Sequence, residues 1–469
     1  MDRPPAIIDG GAARDDQGIR NDAQANTVIR GRWTTALKDD SGTAKVVTRQ
    51  PIWTIITNPD AIAEYFSPEV RTRLTVNFQQ DEQELALDGR QIILALVSAI
   101  ATITIVGVGL SLTMTLIALR LGEQGFSARA IGLNPTAGGF AILAGAAFVP
   151  ALVRRMSVKP LLFIALLTSC LSLLSFALTN DYWAWLTIRA VFSAALSVLF
   201  VTSEYWINAI APPRQRGFVL GFYMTSLAGG FAVGPGILGF VGTSGAAPFI
   251  VATALIALAA LPIVLWSGKV PESKSAPPVP VLSFLTSIPI ATLAGLLYGA
   301  IEAASLGLLP VYALRTGLSP ETGALFVTLF ALGNVIFQFP VGFASDQMDR
   351  SKLLLSLAIL GLCGAIALAV TGTSHFPLFC GLLVIWGGIV GSLYAVGLAH
   401  LGSRYSGPDL ASANAAFVML YSLGMLGGPP IAGLGMDLIS PNGLFFSIAG
   451  LLVVYLGLVC GRRQHRSAW

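Results

Sequence analysis

Charged residues are scarce in this chain. They make up 11% of its 469 residues, whereas an ordinary soluble domain carries roughly 25%. Hydrophobic residues make up 54%, and a soluble fold cannot hide that much apolar surface. The composition therefore excludes an ordinary soluble domain and favours a protein that spans a membrane.

Residues that bind metals or form disulfides are also few. The chain has 3 His and 4 Cys, and the cysteines lie inside apolar runs without a CxxC or CxxxH pattern. We interpret them as small packing residues and predict no metal and no cofactor. The phosphate-binding GxxxxGK[ST] motif, HExxH and a GxSxG set between strand and helix are absent as well, so the sequence predicts that the protein is not an enzyme.

The first 90 residues differ from the rest in charge. They hold 11 Lys+Arg and 14 Asp+Glu, which leaves 17 and 10 for the remainder. They open without the apolar core of a signal peptide, so we expect no cleaved leader. We predict that residues 1–90 form a cytoplasmic N-terminal extension that is disordered or loosely folded, because so short a stretch buries little surface; a small regulatory domain is the alternative.

Twelve apolar runs follow, each long enough to cross a bilayer as a helix of about 20 residues. We number them spans 1 to 12; they lie near 92–119, 131–153, 161–179, 183–207, 217–240, 247–266, 284–312, 322–343, 353–372, 377–400, 410–434 and 442–460. The sequence predicts an all-α membrane protein with two six-helix bundles, residues 91–266 and 284–461. A cytoplasmic linker, 267–283, rich in Pro, Ser and charge, joins them, and residues 462–469 form a cytoplasmic tail.

The distribution of cations predicts the orientation. Thirteen Lys and Arg residues fall at one side of the predicted spans, whereas the opposite loops offer only Arg120, Arg129 and Arg315. Short cytoplasmic loops carry the Lys/Arg excess, so both termini should be cytoplasmic. Because these cations form no continuous stripe, nucleic-acid binding is not predicted.

The two halves repeat their landmarks. RRMSVK at 154–159 corresponds to DQMDRS at 346–351, and Gly234-Pro235 in span 5 corresponds to Gly428-Pro429 in span 11. Such internal repetition is typical of transporters built from two similar bundles.

Glycine recurs in span 5 at a spacing that brings helices together. The run GFYMTSLAGGFAVGPGILG contains Gly221, Gly230, Gly234, Pro235 and Gly239. Small residues let helix backbones approach closely, and proline removes a backbone donor. We predict a tightly packed, kinked span 5; ordinary small-residue packing is the alternative interpretation of the same glycines.

The membrane part, from about Gln91 to Gly461, resembles the major facilitator superfamily. The stretch from Glu204 through RQRGFVLGFYM resembles a poorly characterised bacterial branch of it. The span 5 run is similar to the family's antiporter motif, which is associated with drug and metabolite exporters, although Leu238 replaces one glycine of its final pair. The resemblance implies secondary transport by alternating access.

The loop GFASDQMDRSK between spans 8 and 9 is similar to the family's cytoplasmic-loop signature. Gly342, Asp346, Arg350 and Lys352 match it, and the resemblance implies a gating loop. The corresponding loop of the first half departs from it, with Pro150 in place of glycine and Arg154 in place of aspartate. Simple positive-inside topology explains the cations of both loops but not Asp346.

Among the few ionisable residues inside the predicted spans, three charged ones stand out, since each costs about 2.5–3.5 kcal/mol near a helix centre on insertion scales. Arg189 in span 4 resembles the family's fourth-span arginine, with Ser193 in place of a nearby glycine; a snorkelling arginine is the alternative. Glu204 and Glu302 are candidates for proton coupling because burial disfavours a charged carboxylate. An interfacial Glu204 and a structurally hydrogen-bonded Glu302 are the alternatives.

Several polar residues in the second half are candidates to line a substrate cavity: Asn334, Gln338, Tyr394, Asn414 and Tyr421. Such residues also hold helices together by hydrogen bonds. We predict a monomeric carrier in a bacterial inner membrane that exports a small amphipathic compound or metabolite in exchange for protons. Proton-coupled uptake of a small solute and a non-transporting membrane scaffold or sensor are the alternatives.

Overall fold

The computed structural model describes residues 26–29, 32–38, 44–48, 89–156, 158–210, 216–265, 289–405 and 407–466. The chain divides into two compact units, 1–87 and 88–469. The linker predicted at 267–283 lies outside the described residues.

Three short strands form an antiparallel sheet in the first unit. They are β1 (Asn26–Ile29), β2 (Arg32–Lys38) and β3 (Ala44–Thr48), in the order β1-β2-β3. Thr35 pairs with Asn26 on one side and with Val47 on the other. The disorder predicted for residues 1–90 otherwise falls on residues that are not described and stays a prediction.

The second unit contains the twelve spans as helices. In chain order they are Gly89–Glu123, Ala128–Arg155, Val158–Leu178, Tyr182–Ile210, Arg216–Val241, Ala247–Leu258 with Ala260–Leu265, Pro289–Arg315, Pro320–Gln347, Arg350–Thr371, Phe376–Gly402, Gly407–Leu438 and Gly443–Arg466. Among the described residues, 11 of these spans are long and apolar enough to cross a membrane. The remaining one, span 2, is long enough at 28 residues. The predicted all-α membrane architecture is confirmed.

Two spans differ in detail from the predicted apolar runs. Span 6 covers the predicted stretch but consists of two helical segments that meet at Ala259. Pro262 has no N–H to donate to the carbonyl of Leu258 four residues earlier, which explains the break. The helix of span 12 continues to Arg466, past the predicted end of the bundle.

Turn chemistry determines where several spans begin. Ser127, Ser319 and Asp349 accept backbone N–H bonds at the starts of spans 2, 8 and 9, as N-cap residues do. Gly125 and Gly317, with φ of 81° and 79°, allow the preceding turns, because only glycine adopts positive φ without cost.

The two halves pack in corresponding ways. Span 1 packs on span 5 and span 2 on span 4, just as span 7 packs on span 11 and span 8 on span 10. Across the halves, span 2 packs on span 11 and span 5 on span 8. Span 7 lies at the centre, with 83% of its apolar window buried inside the protein.

Candidate functional site

Glu302 is the centre of a hydrogen-bonded cluster in the second half. Tyr298 Oη donates to Glu302 Oε1 at 2.6 Å, and Tyr421 Oη donates to Glu302 Oε2. Asn334 Nδ2 donates in turn to Tyr298 Oη at 2.8 Å. One hydrogen-bonded cluster therefore links spans 7, 8 and 11.

Aromatic rings surround this carboxylate. The Tyr394 ring lies 5.7 Å from that of Tyr298, 5.3 Å from that of Tyr421 and 5.1 Å from that of Phe417, within the usual range for attractive ring pairs. We call Tyr298, Tyr394, Phe417 and Tyr421 the aromatic cage. Tyr298 is buried at 4% exposure, whereas Glu302, Tyr394 and Tyr421 are half-buried.

Local sequence explains how the cluster assembles. Tyr298 and Glu302 are four residues apart, so their side chains lie on the same face of span 7. Gly391 of span 10 leaves room for Asn334: a Cβ there would lie 2.5 Å from Asn334 Cγ. Gly299 likewise lets the backbone of span 11 approach at Tyr421.

The structure thus brings Glu302 together with three of the five predicted cavity residues. The other two lie apart: Gln338 accepts a hydrogen bond of 3.1 Å from Thr225 of span 5, which links the two halves. Asn414 Oδ1 is buried without a hydrogen-bond partner among the described residues. Tyr298 was not predicted, although its spacing from Glu302 was a usable signal.

Arg189 is buried in the first half and is 2% exposed. Its Nε and Nη1 atoms have no hydrogen-bond partner among the described residues. It packs beside span 2, because a Cβ at Gly138 would lie 2.8 Å from Arg189 Nε and 2.8 Å from Ser193 Oγ. A snorkelling arginine would reach the surface, so this alternative does not fit.

Glu204 belongs to the helix of span 4, but its side chain lies outside the described residues. Its predicted role in proton coupling stays a prediction.

The span 5 glycines divide into two groups. Gly230 and Gly234 face span 1: a Cβ at Gly230 would lie 2.6 Å from Thr104 O, and one at Gly234 would lie 2.9 Å from Leu112 N. Gly239 has nothing within 4 Å. The helix continues through Pro235, and the surroundings of Gly221 are not described. Close packing against span 1 therefore involves the middle of the motif.

The predicted gating loop forms a polar surface at the Arg350 face, the end of the bundle where span 8 ends and span 9 begins. Arg350 pairs with Asp346 at 3.3 Å and donates to Ala399 O of span 10 at 3.2 Å. The Asp346 side chain is 77% exposed, and Gly342 has nothing within 4 Å. These contacts stay within the second half.

Asp349 of the same loop was not predicted. Its carboxylate accepts the Lys352 backbone N–H at 2.9 Å, and this bond lowers the pKa of the Asp349 carboxyl below its ordinary value. Asp349 is therefore the N-cap residue of span 9, and Lys352 contributes its backbone N–H to this cap.

The opposite end of the bundle, which we call the Asp437 face, is closed by contacts between the halves. Asp437 at the end of span 11 accepts the backbone N–H groups of Ala128 and Arg129, each at 2.9 Å. Arg315 at the end of span 7 donates to the same carboxylate at 2.6 Å. The side chains of Arg315 and Asp437 are 28% and 22% exposed.

Close packing of spans 2 and 11 extends inward from this face. A Cβ at Gly132 would lie 2.6 Å from Pro429 O, and Thr136 Oγ1 donates to Leu426 O at 2.9 Å. A cavity of about 10 Å³ remains between the halves, bounded by Asn134 and Gly307 among others, which is room for one water molecule at most. The Asp437 face is therefore sealed.

Within the described part of the chain, no group of three or more His, Cys, Asp or Glu side chains could hold a metal ion. The chemistry that the cluster offers is ionisation and hydrogen bonding, together with the π-faces of its rings.

Known proteins resemble this chain in sequence and in fold. It is 29% identical over 355 residues to YfkF, an uncharacterised MFS-type transporter of Bacillus subtilis (strain 168), covering 74% of this chain and 90% of the relative. It is 28% identical over 296 residues to an uncharacterised MFS-type transporter of Yersinia pestis (strain Pestoides F), covering 62% and 75%.

Solved structures share the fold. The nucleoside transporter NupG superimposes with a TM-score of 0.63 at 15% identity, covering 79% of this chain and 98% of that one. An inward-facing bacterial homologue of the human lysosomal transporter Spinster superimposes with a TM-score of 0.62 at 13% identity, covering 79% and 96%. The sequence model of the Major Facilitator Superfamily matches residues 94–313 and 291–468. The chain therefore belongs to the Major Facilitator Superfamily.

Proposed function

We propose that this membrane protein exports a small amphipathic compound or metabolite in exchange for protons, working as a monomer by alternating access, with Glu302 as the proton carrier. The superfamily consists of secondary transporters and not of enzymes, so the proposal concerns coupling, direction and substrate. The observation that supports it is the placement of Glu302 inside the membrane part without a cationic partner among the described residues: neither of the two ion pairs includes it.

Inside the membrane part, a carboxylate without a cationic partner is costly to keep charged. The cost is about 2.5–3.5 kcal/mol on insertion scales, and binding a proton removes it. Tyr298 and Tyr421 stabilise either state, because a phenol hydroxyl can donate to a carboxylate or accept from a carboxylic acid. Glu302 can therefore gain and lose a proton while it stays hydrogen-bonded to both tyrosines, as proton coupling requires.

The cluster also lies where alternating access would expose it. It joins spans 7, 8, 10 and 11 and its carboxylate is only half-buried, while the Asp437 face is sealed. Rocking of the two halves would release the contacts of Asp437 and bring Glu302 into contact with the other side of the membrane.

The proposed direction follows from charge and from the span 5 motif. Arg154, Arg214 and Arg404 belong to the basic side, which the positive-inside rule assigns to the cytoplasm. The Arg350 face and both termini would then be cytoplasmic in a bacterial inner membrane, with Asp346, Arg350 and Lys352 as the gating loop. We assign Arg189 and Glu204 to supporting roles in the first half.

Proton exchange is tested in vesicles. The purified protein is reconstituted with a pH-sensitive dye inside, and a panel of drugs, sugars and acids is added outside. An exported compound entering by exchange drives protons out, so the interior becomes alkaline; symport would acidify it instead. Glu302→Gln should abolish the proton signal while compound-for-compound exchange remains at saturating compound, whereas Glu321→Gln, at an exposed position of span 8, should leave the proton signal unchanged.

Two outcomes would reject the proposal. An unchanged proton signal in Glu302→Gln would remove Glu302 from the coupling. The absence of flux for every compound, together with loss of a cytoplasmic partner when residues 1–88 are deleted, would favour the scaffold alternative.

A further inference from the structure

The aromatic cage and Glu302 form a combination that selects a ligand by charge. The faces of aromatic rings carry partial negative charge and attract cations that lie within about 6 Å of the ring centre. The three tyrosines and Phe417 pack on one another with ring centres 5.1–6.0 Å apart, and the half-buried rings of Tyr394 and Tyr421 leave part of their surface available to a ligand beside Glu302. Glu302 adds a negative charge at the same place once it has released its proton.

We propose that the Glu302 cage binds an organic cation, an amine or quaternary ammonium with apolar substituents, as the transported substrate. This inference rests on the proposed function and narrows its substrate class. The ammonium lies against Glu302, and the apolar substituents lie against the half-buried rings of Tyr394 and Tyr421.

An anion does not fit this place. The hydroxyl groups of Tyr298 and Tyr421 are donors that could serve an anion, but both already donate to Glu302. A second negative charge beside Glu302 would be repelled at low dielectric. Arg189 does not offset this, because its described neighbours, Gly138 and Phe192, lie in the first half.

The same arrangement accounts for exchange. Glu302 has no cationic partner among the described residues, so its charge is neutralised by a proton or by the substrate cation. The titratable groups that face it are Tyr298 and Tyr421, with Tyr394 next to both. Since one carboxylate cannot hold both cations at close range, the proton and the substrate displace each other.

Binding of two ions with the same shape and opposite charge tests this inference. Tetraphenylphosphonium and tetraphenylborate are titrated separately into the full-length protein in detergent by calorimetry, with tetraethylammonium as a smaller cation. We expect both cations to bind and tetraphenylborate not to bind. Acidifying the solution should weaken the binding of tetraphenylphosphonium by wild-type protein but not by Glu302→Gln.

Three variants show whether binding occurs at the cage. Glu302→Gln should weaken the binding of tetraphenylphosphonium about tenfold or more, because a neutral amide cannot pair with the cation. Tyr394→Leu should weaken it about three- to thirtyfold, whereas Tyr394→Phe keeps the ring and should bind like wild type. Glu321→Gln is the matched control. Thermal unfolding of each variant shows whether it is folded, and Tyr394→Leu keeps the test valid should Glu302→Gln not fold.

The inference is overturned if neither cation binds, if tetraphenylborate binds as tightly as tetraphenylphosphonium, or if Glu302→Gln and Tyr394→Leu both bind like wild type. The proposed function fails separately. A neutral or anionic compound that moves protons in a Glu302-dependent manner would reject the cation cage and keep proton exchange. Cation binding without any proton movement would keep the cation cage and reject proton exchange.

Discussion

The carboxylate of Asp437 lies 2.6 Å from Arg315 Nη2 and at the same time holds the start of span 2 through two backbone N–H bonds. Arg315 and Asp437 both belong to the second half, whereas Ala128 and Arg129 belong to the first. One carboxylate therefore joins the halves at the face where the protein is sealed. Backbone N–H groups at a helix start carry partial positive charge, which favours this arrangement.

We expect Asp437→Asn to open the Asp437 face. The neutral amide cannot form the ion pair with Arg315, and it lacks the negative charge that the start of span 2 attracts. A hydrogen bond to a charged group contributes about 1.5–3 kcal/mol. Its loss is enough to change the ratio of open to closed protein about tenfold or more. Spin labels at Gln124 and Glu321, on opposite halves at this face, should separate. His375→Gln, at an exposed position between spans 9 and 10, should not change their distance, and an unchanged distribution in Asp437→Asn would exclude Asp437 as a latch.

The glycines of span 5 should differ in their tolerance of a methyl group. Gly230→Ala places a Cβ 2.6 Å from a backbone oxygen of span 1, and such overpacking costs about 1–3 kcal/mol. Gly239→Ala meets nothing within 4 Å and should be neutral or stabilising, since alanine favours helix. Thermal unfolding in detergent measures both. Equal midpoints would contradict the packing of Gly230 on span 1.

A methyl group at Gly138 should displace the Arg189 side chain. The atoms it would meet are the ends of side chains, Arg189 Nε and Ser193 Oγ, so Gly138→Ala should remain folded but transport less well. Arg189→Lys should not restore full transport, because an ammonium lacks the planar fork of a guanidinium. Gly381→Ala in span 10, where a Cβ meets nothing within 4 Å, is the control. Full activity in Gly138→Ala would show that the position of Arg189 is unimportant.

Neutralising Asp346 separates gating from stability. Its side chain is 77% exposed, and exposed ion pairs contribute little to stability. Asp346→Asn should therefore leave the unfolding midpoint unchanged and, if the loop gates, lower the transport rate. A normal rate would mean that the cations of this loop serve topology alone.

Labelling single cysteines in intact cells tests the orientation. The variants Lys352→Cys and Gln124→Cys are made in a background without the four native cysteines. An impermeant maleimide should label position 124 from outside and position 352 only after the cells are opened. The reverse pattern would invert the proposed topology and with it the direction of export.

Much of the fold and part of the site could be predicted from the sequence. The spans follow from uninterrupted apolar length, and Glu302 stands out because a carboxylate in such a run is costly. Asn334, Tyr394 and Tyr421 could be named as cavity candidates only because they are polar within spans; the sequence does not reveal that they meet at one carboxylate. Tyr298 could have been found from its spacing to Glu302.

Asp437 could not have been found in this way. Its partners in the first half are backbone groups more than 300 positions earlier in the chain, and backbone groups carry no sequence signal. The same holds for Gly391, whose importance depends on the nearness of Asn334.

The sequence by itself determined that the chain crosses a membrane many times, in two similar halves, because the length and apolar character of each segment depend on neighbouring residues alone. The tertiary structure decided which side chains share the Glu302 cluster, which glycines touch another helix and which carboxylate joins the halves. These outcomes depend on how helices far apart in the chain pack, and that packing is settled by many small contacts at once.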